Sequence, residues 1–211
     1  MRKLLLFVWL LVPAAAAAYH YGPGQDLTRE DRASRAAQSA EQFSREAREV
    51  AARDGDDAAR DLWAKAAEAC DEALAELPPA NVVESRALRL ERAKAMMFLS
   101  KLPDAHRELT VLVDELQSDP TADAKLLADA RGALANAQYY RTWLMRLEGL
   151  APEEWEPEIE ASRQNYKLIA ETAAASGDQA LAAQSREDLE SAIRLARMDI
   201  KDLQGLPLPS Q

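Results

Sequence analysis

The chain has 211 residues, 36 of them acidic and 26 basic, for a net charge of −10, and only 6% are aromatic. That balance argues against nucleic acid or an anionic membrane surface as partner, since both demand a basic face. With one cysteine, Cys70, no intrachain disulfide is possible, and the fold must rest on an apolar core.

The first residues read as a secretory leader. Arg2 and Lys3 precede nine apolar residues, Leu4 to Val12; Pro13 breaks the run, and small residues at Ala16 and Ala18 suit cleavage after Ala18. The run is shorter than the ~20 apolar residues of a membrane span, and no cysteine follows the alanines to carry a lipid. The expectation is a signal peptide over 1–18 and an exported protein, periplasmic or secreted, with no stable membrane span after cleavage.

Residues 19–27, with Gly22, Pro23 and Gly24, are expected to be a mobile lead to an all-α domain over 28–204. Asp26 or Thr28 suits the cap of a first helix, whose apolar stripe is Ala36, Ala40, Phe43, Ala47 and Val50. Asp54-Gly55-Asp56-Asp57 ends it and restarts the chain as a second helix striped Leu62, Ala66, Cys70, Ala73 and Leu77. Pro78-Pro79 closes that one. Asn81 then caps a third, facing inward with Leu88, Ala95 and Leu99.

Pro103 opens a fourth helix, striped Ala105, Leu109, Leu112, Val113 and Leu116, which stops at Asp119-Pro120. The fifth carries Leu127, Leu134, Ala137 and Leu144 to a stop at Gly149. Pro157 would damage a helix already under way, so the sixth is expected to begin near Glu156–Pro157. It continues through Ile159, Tyr166, Ile169, Ala170 and Ala173 to the Ser176-Gly177-Asp178 corner. The seventh is striped from Leu189 through Ala192, Ile193, Ala196 and Ile200 to Leu203. Residues 205–211, with Pro207 and Pro209, read as an extended tail. About seven antiparallel helices joined by short connections predict an all-α fold.

Two segments share a spacing. Ala93, Met96, Ser100, Ala105, Leu109 and Leu112 stand at positions 0, 3, 7, 12, 16 and 19; Ala170, Ala173, Gly177, Ala182 and Leu189 stand at 0, 3, 7, 12 and 19. This resembles the tetratricopeptide repeat, in which small residues let two helices cross closely and a Gly-like corner turns the chain. Arg89 and Arg186 stand where that family carries aromatics. The resemblance implies a superhelical stack whose concave face binds a protein or peptide partner; an irregular helical bundle is the alternative.

Chemistry-bearing residues are sparse. Of the two histidines, His20 falls in the lead and His106 is expected to be solvated beside Arg107 and Glu108. Cys70, on an apolar stripe, reads as a small buried hydrophobe. Glu153, Glu154, Glu156, Glu158 and Glu160 make the densest acidic run, which complements a helix N-terminus better than it builds a metal site. No cofactor, metal or catalytic set is expected. The candidate binding residues are Tyr140, Trp143, Arg146 and Trp155, a crowd of aromatics and arginine that makes a binding hot spot if exposed and a clamp between helices if buried. The functional expectation is a non-enzymatic interaction or scaffold protein of the cell envelope; the alternative is a periplasmic helical protein that binds a small ligand or metal.

Overall fold

A computed structural model of the protein describes residues 23–204. They form α1 (Pro23–Asp54), α2 (Asp56–Glu76), α3 (Val82–Met97), α4 (Leu102–Ser118), α5 (Ala124–Leu147), α6 (Pro152–Ser176), α7 (Gln179–Arg197) and a short α8 (Ile200–Gln204). No strand occurs among the described residues, and the fold is all-α. The leader, His20 and the 205–211 tail lie outside the described residues.

Side-chain pairs fix the helix directions. Between α1 and α2, Arg32 bonds Glu76 at 3.1 Å, and farther along Lys65 sits 5.9 Å over the Phe43 ring. One number falls as the other rises, so the two helices run antiparallel. The same progression joins α3 to α4 through Arg86–Asp119 at 2.6 Å, Arg89–Glu115 at 2.7 Å and Arg92–Glu108. It joins α5 to α6 through Gln138–Asn165 at 3.1 Å and Arg141–Glu158 at 2.9 Å. Each long helix packs on its neighbours in the chain, and α3·α5 and α5·α8 add further contacts.

The core is therefore a row of clusters. Ala47, Ala59, Trp63, Ala66 and Ala95 bind α1, α2 and α3; Leu90, Met97, Leu109, Leu112 and Leu116 join α3, α4 and α5. Trp143, Ile159, Tyr166, Leu195 and Leu203 close the far end. Alanine at the α1–α2 crossing lets the two backbones approach, so a long seam is built with little bulk. Cys70 belongs to this seam at 1% exposure, and burial pushes its thiol up to about 12.

Three boundaries differ from the sequence reading. First, α1 begins at Pro23, so residues 23–27 are its first turn and not a lead; proline at the first helical position forfeits no intrahelical hydrogen bond. Second, α6 begins at Pro152 and carries Pro157 within it. Proline there costs only the bond to the Glu153 carbonyl, in a turn already held by the Glu154 carboxylate, which accepts the Ala151 N–H at 3.2 Å. Third, the stripe expected to run unbroken to Leu203 is cut at Met198, whose backbone is extended, and Ile200 on that stripe is 39% exposed. The bend turns α8 so that Leu203 is buried at 1% exposure.

The two segments of matching spacing bend alike. Ala93, Ala105 and Ala182 are fully buried, and Ala170 and Ala173 nearly so. Both corner residues at the shared seventh position are left-handed, Ser100 at φ 60° and Gly177 at φ 86°. For a serine that conformation costs about 1–2 kcal/mol, which the packing of the flanking helices offsets.

The arginine ladder between α3 and α4 makes stability acid-sensitive. Burial acts to raise the Glu108 carboxyl, and the hydrogen bonds of Arg89 and Arg92 outweigh it, leaving it below its ordinary 4.5. Hydrogen bonds from Arg86, then from Thr121, hold Asp119 at about 2 instead of 3.8. A carboxyl lowered in the folded state stabilises above its unfolded value and loses that contribution as pH falls through the folded one. Urea midpoints should therefore drop as pH falls from about 4.5 toward 2. Glu108→Gln should start lower at neutral pH and fall less steeply over this window. Parallel curves would show that the ladder contributes nothing.

Candidate functional site

The four candidate binding residues depend on where α5 directs them. Asp123 caps α5, its carboxylate accepting the Lys125 and Leu126 N–H groups at 2.7 and 3.0 Å. Successive helical residues are rotated by about 100°, so neighbours face different partners. Trp143 points into the core at 6% exposure, among the side chains of α6, α7 and α8. Arg146 follows at 8% exposure, stacked 4.7 Å over the Trp155 ring and donating to the carbonyls of Leu195 and Met198. Trp155 is partly buried in the same cluster.

This group is a clamp, the buried one of the two alternatives that the sequence leaves open for Trp143 and Arg146. The C-terminus of α7 leaves carbonyls without intrahelical donors. A guanidinium reaching from α5 meets the Leu195 carbonyl, which also accepts the Met198 N–H at 3.4 Å, and the Met198 carbonyl just past the helix end, and the aromatics cover its stem. Desolvation by burial lowers the Arg146 pKa, partly countered by the charge of Asp199.

His106 is also placed otherwise than expected. Its side chain is 16% exposed, with Nε2 at 3.3 Å from Glu158 Oε2. Arg141 Nη1 lies 3.3 Å from His106 Nδ1 and donates to Glu158 Oε1 at 2.9 Å. Burial acts to raise the Glu158 carboxyl, but the hydrogen bond and charge of His106 and the charge of Arg141 hold it below 4.5. The trio ties α4, α5 and α6 together. Glu153, Glu154, Glu156 and Glu160 stay exposed, and among the described residues no group of three or more His, Cys, Asp or Glu is placed to hold a metal ion.

Elsewhere an open cleft of about 570 Å³ crosses the molecule. Arg48 of α1 stands on its wall with Asp56 and Trp63 of α2; Glu91, Lys94 and Met97 of α3, with Phe98 beyond, form another side. From α5 come Asp129, Asn136 and Tyr140, from α6 Tyr166 and Ile169, and from α7 Leu181, Gln184 and Asp188. Trp63 and Phe98 stack with ring centres 4.2 Å apart and planes 5° from parallel. Tyr166 donates to Asn136 Oδ1 at 2.6 Å, Lys94 pairs with Glu91 at 2.9 Å, and Gln184 donates to Asp188 at 3.2 Å.

The wall is thus rigid and aromatic at its base, with charge along its edges. Burial raises the Tyr140 phenol, and the charges of Tyr139, Asp56 and Asp188 raise it further. Of the four candidate residues only Tyr140 lines the cleft. Trp63, Phe98, Tyr166 and the three aspartates, which the sequence reading missed, come from segments more than a hundred residues apart. The one usable signal was the pair Trp63 and Phe98, large aromatics beside otherwise alanine-rich stripes.

Comparison with family models, with curated proteins and with solved structures finds no match.

Proposed function

We propose that this chain is a non-enzymatic, exported helical-hairpin protein of the cell envelope that holds a protein or peptide segment in the cleft. The observation that carries this reading is the cleft itself. Its volume of about 570 Å³ lies within the roughly 300–1,000 Å³ typical of ligand sites. It is open along its length, walled by six helices, and combines apolar side chains with a few polar groups.

Two further features support the reading. The two segments of tetratricopeptide-like spacing turn on the same left-handed corner and bury the same small residues, as stacked hairpins require. At the α3–α4 crossing, Arg89 stands where the repeat family carries an aromatic, and it bonds Glu108 and Glu115 at 2.9 and 2.7 Å. An ion-paired contact there replaces an apolar one.

A photo-crosslinking amino acid at Gln184, exposed on the cleft wall, tests the proposal, with Glu160 on the outer face of α6 as control. In the native cell envelope, the Gln184 position should yield one discrete adduct that Tyr140→Ala diminishes severalfold, and the Glu160 position none. Equal labelling from both positions, or none from Gln184, would refute a cleft partner.

A further inference from the structure

We infer that the cleft takes a peptide through a basic side chain, a lysine or arginine seated beside Tyr140 between Asp56 and Asp188. This rests on the reading of the cleft as a peptide site. The first argument is charge. Four carboxylates line the cleft (Asp56, Glu91, Asp129 and Asp188) against two cations, Arg48 and Lys94. Lys94 is already paired with Glu91 at 2.9 Å. Among the described residues none of the three aspartates has an ion-pair partner, although Arg48 stands on the same cleft wall and has none either.

The second argument is the state of the Tyr140 end. Asp56 and Asp188 come from different helices, and both act on the Tyr140 phenol. Asp188 is half-buried, among the described residues with only the Gln184 amide as donor, and that burial raises its carboxyl. A carboxylate withdrawn from water without a cation is destabilised, and an incoming ammonium or guanidinium relieves it. Leu181, Ile169 and Met97 line the same cleft and suit apolar neighbours of the basic residue. Trp63, 3% exposed on the same wall, has an indole N–H that finds no acceptor among the described residues. A peptide backbone carries carbonyl acceptors; a free polyamine carries none.

The test is fluorescence anisotropy of the full mature chain with labelled octapeptides of leucine and alanine bearing a central lysine, norleucine or glutamate. The lysine peptide should bind about tenfold tighter than the norleucine peptide, and the glutamate peptide more weakly than both. Asp56→Asn with Asp188→Asn should bring lysine and norleucine within about twofold while the fold, read by circular dichroism, is kept. Equal lysine and norleucine affinity, with the peptides crosslinking at Gln184, would overturn the basic preference and leave the cleft reading standing. Lysine-peptide binding without a Gln184 crosslink would overturn the cleft reading. Spermidine binding more tightly than the peptide would make the site a small-cation site and overturn the inference. No binding by any octapeptide would overturn both.

Discussion

Leu109→Ala should lower the unfolding free energy by about 3–4 kcal/mol, a loss on the scale of whole-domain stability. Leu109 is fully buried, as are Ala105 and Leu112, with Leu116 at 1% exposure along the same face of α4. Removing its isobutyl group forfeits transfer energy and leaves a hole. The neighbours on the α3 and α5 sides include Ala93, Ala130 and Ala137, whose short side chains cannot swing in to fill it. That places the substitution in the middle of the roughly 2–5 kcal/mol range for buried leucines, clear of its lower end. Val111→Ala on the same helix is the control: at 46% exposure it should cost within about 0.5 kcal/mol. Urea titration of both variants decides the matter. If the two cost the same, the α4 seam does not carry the middle of the molecule.

The second large effect is expected at Arg146→Ala, a loss of about 3 kcal/mol. The side chain donates to the Leu195 and Met198 carbonyls and stacks on Trp155. Deleting it takes the guanidinium donor from the Met198 carbonyl and leaves the Leu195 carbonyl only the Met198 N–H at 3.4 Å, losses of about 1–3 kcal/mol for each buried bond, and removes the cation from the indole face. Arg146→Lys should recover only part of the loss, because an ammonium cannot reproduce the planar fork that meets both carbonyls. Hydrogen exchange supplies the local readout. In Arg146→Ala, amides of α8 should exchange much faster than those of α2, which lies at the other end of the row. Uniform acceleration, or no change in stability, would refute the clamp.

The helices were legible because each has one apolar face, and a 3.6-residue period survives in the sequence whatever the partner helix is. Ala47, Ala66, Ala73, Leu109 and Leu112 lie on the expected stripes and are buried. Boundaries set by distant residues were not legible. The bend at Met198 is bonded by Arg146, some fifty positions away, and no local pattern around Asp199 announces it. His106 misled for the same reason: its neighbours Arg107 and Glu108 suggest water, yet its partners are Arg141 and Glu158 on two other helices. The cleft was the least legible feature. Asp56 looks like a helix-start residue, Asp188 like a solvated face and Tyr166 like core, and only the stacking order of the helices brings them to one wall. In the candidate set the sequence left surface and clamp open, since aromatic crowding marks a tight junction as readily as a contact surface; Trp143 and Arg146 are buried, and Tyr140 lines the cleft.

Packing between chain neighbours has a kinetic consequence. A molecule whose helices rest chiefly on the segment before and the segment after has low contact order, so its search is made of short loop closures and folding belongs to the microsecond-to-millisecond class. The same economy weakens cooperativity, since the first hairpin and the last share few direct contacts. The walls of the cleft are the exception, gathered from Arg48 at one end to Asp188 at the other. A molecule bound there would be the longest-range link in the structure, and its binding energy would couple the unfolding of one end to that of the other.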